Sequence, residues 1–217
     1  MMWSLVAGFL AYFALLWWFW DASVVYPVKM FVVFLHEVSH GIAAIITGGY
    51  IDRIVLERAQ GGACYCPGGS AFLTLTAGYL GSLLWGCLLV IGGLKLGKWS
   101  RTLAAVIGGA TALLTLVYVR GSFGIGFGLL FALFMLASAK FFPVAVNRAL
   151  IVMLGLTSCM YALLDIKSDV LDRPELQSDA RMLAELTHVP TVVWGVLWIA
   201  VGVVMCFLLL RRAVRTQ

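Results

Sequence analysis

The chain has 217 residues, of which 63% are hydrophobic and only 12% are charged, and its mean hydropathy is +1.02. Soluble globular domains are about 45–50% apolar and about 25% charged, so this chain has too little polar surface to cover a water-soluble globule. The composition excludes a cytosolic enzyme, a secreted disulfide scaffold and a coiled coil, and it predicts an integral membrane protein. The net charge of +5 does not indicate nucleic-acid binding, because the basic residues form no stripe with interleaved aromatic residues.

Seven apolar stretches are candidate membrane spans, since a spanning helix needs about 20 residues. In chain order they are residues 4–20, 22–49, 72–94, 102–119, 123–142, 147–166 and 191–210. The predicted fold is a single all-α polytopic domain, 1–217, with about six or seven transmembrane helices, six if one stretch only lies in the interface. The expected location is a bacterial inner (plasma) membrane.

Two stretches do not resemble spanning helices. Residues 50–70 begin with β-branched residues and contain Gly61-Gly62, which predicts a short membrane-associated β-hairpin. Its strand at 50–58 would pair with an extended substrate segment, or the hairpin would act only as a structural plug. Residues 167–190 are strongly acidic and predict a solvated loop with a short helix from Ser178 to Leu186, capped by Ser178.

The five cysteines carry little signal for a metal site. Three of them, Cys87, Cys159 and Cys206, lie in apolar runs, where a buried cysteine behaves as a small hydrophobic residue. Cys64 and Cys66 lie in the glycine-rich segment, but one intervening residue is an awkward spacing for zinc ligands.

The distribution of lysine and arginine predicts an orientation. With seven spans, one side of the membrane collects Lys29, Lys95, Lys98, Arg101, Lys140, Arg148 and the C-terminal arginines. The other side collects Arg53, Arg58, Arg120, Lys167, Arg173 and Arg181, together with most of the acidic residues. Because cytoplasmic loops carry an excess of Lys and Arg, the first side is the predicted cytoplasmic one.

A His-Glu-x-x-His pentad lies inside the second apolar stretch, in a helix predicted over about 28–47. On a helix, His36 and His40 project from one face about one turn apart, so both imidazoles reach one zinc ion. Glu37 is placed to act as a general base on a zinc-bound water. Three ionisable side chains within five residues of a membrane helix are costly and mark a functional site.

A catalytic zinc site needs a third protein ligand. Asp165 is the leading candidate, because it ends the apolar run of the predicted helix at about 147–166, which runs parallel to the helix of His36. An aspartate there also suits an interfacial helix end. Asp169 is the fallback ligand, or a second-shell partner. His188, in the acidic loop, is interpreted as an exposed histidine.

These features together resemble the site-2 protease superfamily, and most closely its M50B-like branch of small membrane proteins. The resemblance rests on His36–His40, on Thr47-Gly48-Gly49 with the strand that follows, and on the segment 76–82 that opens the next span. It implies that His36 and His40 bind zinc, that Glu37 is the catalytic base, and that Asp165 matches the family's aspartate from a later helix. It also implies cleavage of transmembrane substrates within the bilayer.

The sequence departs from better-studied members of that superfamily. Leu164-Asp165-Ile166 stands where they carry Leu-Asp-Gly or Asn-Pro-Asp-Gly, Ala77-Gly78-Tyr79 replaces Ala-Gly-Pro, and no PDZ domain is inserted. The leading hypothesis is an intramembrane zinc metalloprotease acting on membrane-spanning proteins. The second hypothesis is a protease-like membrane protein that binds partner helices without turnover. A transporter is disfavoured, because no inverted repeat or pair of broken helices is present.

Overall fold

The computed structural model describes residues 11–20 and 22–215, and helices make up most of them. A helix over 11–18 (α1) comes first. The elements that follow are α2 (Tyr26–Ile46), β1 (Arg53–Leu56), β2 (Gly62–Tyr65), α3 (Ala71–Lys95), α4 (Ser100–Tyr118), β3 (Val119–Arg120), α5 (Ser122–Phe141), α6 (Val144–Lys167), α7 (Asp179–Thr187) and α8 (Thr191–Arg215). A 3₁₀ turn at Gly97–Trp99 precedes α4, and a π turn at Ser168–Asp172 extends α6.

Five of the described helices are long and apolar enough to cross a membrane, which confirms the all-α polytopic class. They are α2, α3, α4 with its preceding turn, α5, and α6 with its π turn. α7 and α8 form a pair bent by 119°, and the number of spans becomes six if this pair counts as one. The predicted span at 4–20 lies partly outside the described residues.

The predicted hairpin is present as two strands of a small three-stranded sheet in the order β2-β1-β3. β1 and β2 are antiparallel, with Ile54 opposite Cys64, and the turn between them is closed by Glu57 and Gly61. β3, between α4 and α5, pairs with β1 in parallel. β1 is therefore internal, and a substrate has no free edge on this strand. The prediction that strand 50–58 receives the substrate was wrong.

The ends of the helices define two sides of the bundle. The hairpin side carries the connections 47–70, 119–121 and 168–178, and pairing of β3 with β1 joins the first two of these. The opposite side, called the basic side below, carries 96–99 and 142–143. There Ser100 Oγ donates to the carbonyl of Val144, and the Arg101 guanidinium donates to that of Phe142 at 2.7 Å.

Glycines allow α3 to approach both α2 and α6 closely. A Cβ at Gly81 would meet the side chain of Ser39 on α2, and a Cβ at Gly86 would lie 2.7 Å from the carbonyl oxygen of Gly155 on α6. Helices pack at short distances in membranes where small residues line the contact. α3 is thereby held between α2 and α6, and its Gly78 lies against His36 and His40 of α2.

Candidate active site

Three side chains with metal-ligating atoms converge between α2 and α7. His36 and His40 are one turn apart on α2, and both are buried. Their Nε2 atoms lie 3.0 and 3.1 Å from the same carboxylate oxygen, Oδ2 of Asp179, the first residue of α7. Among the described residues, these three form the group whose ligand atoms all lie within 4.8 Å of one another. The two histidines therefore lie on one face of α2 with their ring nitrogens close together, as their four-residue spacing predicts.

The far nitrogens of the two imidazoles face polar groups of other helices. His40 Nδ1 lies 2.7 Å from the carbonyl oxygen of Thr74 on α3, to which the Nδ1–H donates. A neutral His40 in this tautomer has Nε2 unprotonated and available to a metal ion. His36 Nδ1 is buried without a hydrogen-bond partner in the described part of the chain, and its nearest carboxylate oxygen is Oδ2 of Asp165 at 3.8 Å.

Of the other candidates predicted from the sequence, Asp165 and Asp169 lie near His36, and His188 lies at the end of α7. Asp165, on α6, contacts His36 from the Nδ1 side of the ring and is not in the group of converging ligand atoms. Asp169 accepts a hydrogen bond from the Tyr79 hydroxyl at 2.6 Å, and the Tyr79 ring packs edge-on against His36. His188 is exposed at the end of α7.

Glu37 lines a cavity of about 600 Å³ that both histidines also line. Its carboxylate is buried and accepts a hydrogen bond from the backbone N–H of Cys64 in β2. Gly62 packs directly on it, since a Cβ there would lie 2.7 Å from Oε1. The hairpin therefore covers one side of Glu37, and the carboxylate faces the same space as the histidines.

Gly78 on α3 gives the two histidines their room. A Cβ at this position would meet Nε2 of His36 and would lie 2.6 Å from Cε1 of His40. The residue belongs to the segment 76–82 that carries the family resemblance. Its lack of a side chain is required because α3 crosses α2 at the pentad.

Replacing Gly78 by Ala is expected to displace both imidazoles and to remove bound zinc while the membrane bundle stays folded. The measurement is zinc per chain by mass spectrometry of the detergent-purified protein, beside its elution profile in gel filtration. Gly109→Ala is the matched control, because a Cβ on Gly109 of α4 has nothing within 4 Å. Equal zinc in the two variants would contradict this role of Gly78.

The loop after α2 is fixed by the Thr47-Gly48-Gly49 motif. Thr47 Oγ1 donates to the carbonyl of Ala43 and accepts a hydrogen bond from the backbone N–H of Ser70. Gly48 has φ +93°, which an L side chain rarely adopts. A Cβ at Gly49 would lie 2.8 Å from the carbonyl oxygen of Pro67. The motif thus ties both ends of the hairpin segment to α2.

Cys64 and Cys66 form a disulfide within this segment. The pair is therefore not available as metal ligands, in agreement with the unfavourable spacing. Cys87 and Cys159 are buried in the apolar contact of α3 and α6, as their sequence context predicts.

Asp179 is the site residue that sequence reasoning missed. The acidic segment 167–190 was predicted to be solvated, but Asp179 is 14% exposed and Asp169 is held by Tyr79. The predicted short helix is confirmed, and Ser178 caps it by accepting from the backbone N–H of Arg181. Ala180 and Leu183 bury the face of α7 that packs against α3 and α8, which brings Asp179 over the pentad. No local signal separates Asp179 from its acidic neighbours.

The residues present fit a zinc ion. Two imidazole nitrogens and one carboxylate oxygen are a common ligand set for catalytic zinc, with the fourth position left for water. Ligand atoms at about 2.0–2.1 Å from a tetrahedral ion lie about 3.3–3.4 Å apart. The separations of 3.0 and 3.1 Å found here are close to that value.

A comparison with known protein families identifies this architecture. The family model of peptidase M50B-like proteins matches residues 9–209, which is most of the chain. The chain belongs to the peptidase M50B-like family. Comparison with curated proteins and comparison with solved structures found no match. Family membership confirms the resemblance drawn from the pentad and its neighbouring motifs, and it supports a protease-like function in a multi-pass membrane protein.

Proposed function

We propose that the protein is a zinc metalloprotease that hydrolyses peptide bonds of membrane-spanning substrates. The observation that carries this proposal is the convergence of His36, His40 and Asp179 on one point, with the Glu37 carboxylate in the same cavity. The members of the group come from α2 and α7, so folding of the whole bundle assembles it. Membership of the peptidase M50B-like family supports the same reaction class.

His36, His40 and Asp179 would hold the ion through Nε2, Nε2 and Oδ2. When bound, zinc supplies a Lewis acid that polarises a carbonyl and lowers the pKa of water. Asp165 takes a different role from the ligand role predicted for it. Its carboxylate lies 3.8 Å from Nδ1 of His36, and on closer approach it would accept from Nδ1–H and fix the tautomer with Nε2 unprotonated.

Glu37 is the general base of the proposed reaction. It follows His36 directly, so its carboxylate is beside the ligands without being one of them. The Cys64 N–H holds the carboxylate in place, and burial keeps bulk water from competing for the proton. Glu37 takes a proton from the attacking water and delivers it to the amine of the leaving peptide.

The outer edge of β2 is the candidate docking strand for the substrate. Within the described sheet β2 is an edge strand, and the N–H of Cys64 points from it toward Glu37. Gly62, Ala63 and Cys64 all line the cavity. Proteases bind extended segments, and an edge strand pairs with them through its main chain. A substrate on this edge would place a peptide bond next to the carboxylate.

The alternative is a protease-like protein that binds partner helices without cleaving them. The two functions predict different sets of membrane-protein fragments in cells that make the protein. We expect new N-termini, mapped by terminal labelling and mass spectrometry to membrane-spanning segments, in cells with the wild-type chain. Cells with His40→Ala should lack them. Identical sets of N-termini in the two cultures would contradict the protease proposal.

A further inference from the structure

The active-site residues lie far from the basic side of the bundle. Along α3, the stretch from Gly78, which touches both histidines, to Lys95 spans about 26 Å at 1.5 Å per residue. Along α6, the stretch from Val144 to Asp165 spans about 32 Å. The hydrocarbon core of a bilayer is about 30 Å thick. The site is therefore near the membrane face to which the hairpin side belongs.

A connection on that same side lines the cavity of Glu37. Its lining includes Arg173, Leu176, Gln177 and Ser178 of the connection between α6 and α7. Leu176 and Gln177 of that segment are exposed and line the cavity. These exposed residues place one part of the cavity wall at the solvent-facing connection of the hairpin side.

Charge separates the two sides sharply. No Asp or Glu occurs between Glu57 and Asp165, so the helix ends that flank 96–99 and 142–143 carry positive charge alone. Their basic residues, at or next to the helix ends, are Lys95, Lys98, Arg101, Lys140 and Arg148. On the hairpin side, eight acidic residues offset the basic ones: Asp52, Glu57, Asp165, Asp169, Asp172, Glu175, Asp179 and Glu185. Short cytoplasmic loops carry the excess of Lys and Arg, so the basic side is cytoplasmic.

The Cys64–Cys66 disulfide supports this orientation independently of charge. It lies on the hairpin side, between α2 and α3. Disulfides persist in compartments outside the reducing cytosol. Cys87 and Cys159 are buried between helices and carry no information about compartment.

We propose that the cavity of Glu37 opens to the non-cytoplasmic compartment, and that its substrates present their scissile segment from that face. The substrate part rests on the proposed protease function. The substrates would be membrane proteins with an extended segment at the non-cytoplasmic end of a span. The orientation of the cavity does not depend on whether the protein hydrolyses peptide bonds.

The test is thiol labelling in sealed membrane vesicles with a membrane-impermeant maleimide. Two variants, each with one added cysteine, are made in a Cys206→Ala background that keeps the other four cysteines. Leu176→Cys reports on the cavity wall, and Trp99→Cys is its matched partner on the basic side. Both positions carry large apolar residues, which are 48% and 59% exposed. We expect Leu176→Cys to react in right-side-out vesicles and Trp99→Cys to react in inside-out vesicles.

The parent with Cys206→Ala is the control for background. It should bind no maleimide in either kind of vesicle and should expose two further thiols, Cys64 and Cys66, after dithiothreitol. Reaction of Leu176→Cys in inside-out vesicles, or of Trp99→Cys in right-side-out vesicles, overturns the orientation. The labelling does not require hydrolysis, so it can contradict the orientation without contradicting the protease proposal.

Discussion

Replacing Glu37 by Gln is expected to lower the rate of peptide hydrolysis by about 10²–10⁴-fold, or about 3–5 kcal/mol in activation free energy. The amide keeps the size of the side chain and still accepts a hydrogen bond from the Cys64 N–H, but it cannot take a proton from water. Zinc content and folding should not change, because Glu37 is not among the converging ligand atoms. The rate is measured in detergent on a substrate found by comparing N-termini.

Glu57→Gln is the matched control for this change. Glu57 lies exposed in the turn of the hairpin, so the same loss of charge there should leave the rate within about twofold of wild type. A fully active Glu37→Gln variant with normal zinc content would eliminate Glu37 as the base. Loss of zinc in that variant would instead assign Glu37 to the ligands.

Replacing Asp179 by Asn is expected to abolish stoichiometric zinc binding, because a neutral amide is a poor substitute for a carboxylate ligand. The wild-type chain should carry about one zinc ion. Asp165→Asn should bind zinc about 10–100-fold more weakly, because His36 loses the carboxylate behind Nδ1 but all three ligands remain. Zinc per chain and competition with a chelator of known affinity measure the two effects.

Asp172→Asn controls for the loss of one acidic charge in the same part of the chain. Its carboxylate pairs with Lys167 at 2.7 Å and is about half exposed, so zinc binding should be unaffected. Stronger loss of zinc in Asp165→Asn than in Asp179→Asn would restore Asp165 as the third ligand and make Asp179 the supporting residue.

Predictions from the sequence succeeded where the physics is local. The membrane class follows from composition alone, because no water-soluble fold can bury so much apolar surface. The face shared by His36 and His40 follows from the helical period, which brings residues four apart together in any helix. The hairpin and the cap at Ser178 follow from turn and capping residues near each other in sequence.

Predictions failed where a contact joins distant parts of the chain. The role of strand 50–58 depended on its neighbours, and one of these is β3, formed between α4 and α5. A two-residue strand carries no signal in the sequence. The solvated character assigned to 167–190 rested on its charge, yet Asp169 is bonded to Tyr79 on α3. Burial of a carboxylate costs free energy because it loses contact with water. Hydrogen bonds to buried groups of other helices offset this cost, and the sequence pattern does not show those partners.

The sequence by itself determined that this is a multi-pass membrane protein with His36, Glu37 and His40 close together on one helix. Only the tertiary structure decided which aspartate meets the two histidines. Asp165 lies in the last turn of α6 and Asp179 begins α7, and the two elements approach α2 from different directions. The packing of α7 against α3 and α8 brings Asp179 to Nε2, 143 residues from His36, while α6 brings Asp165 to Nδ1. That difference arises from long-range packing, which no local period or cap encodes.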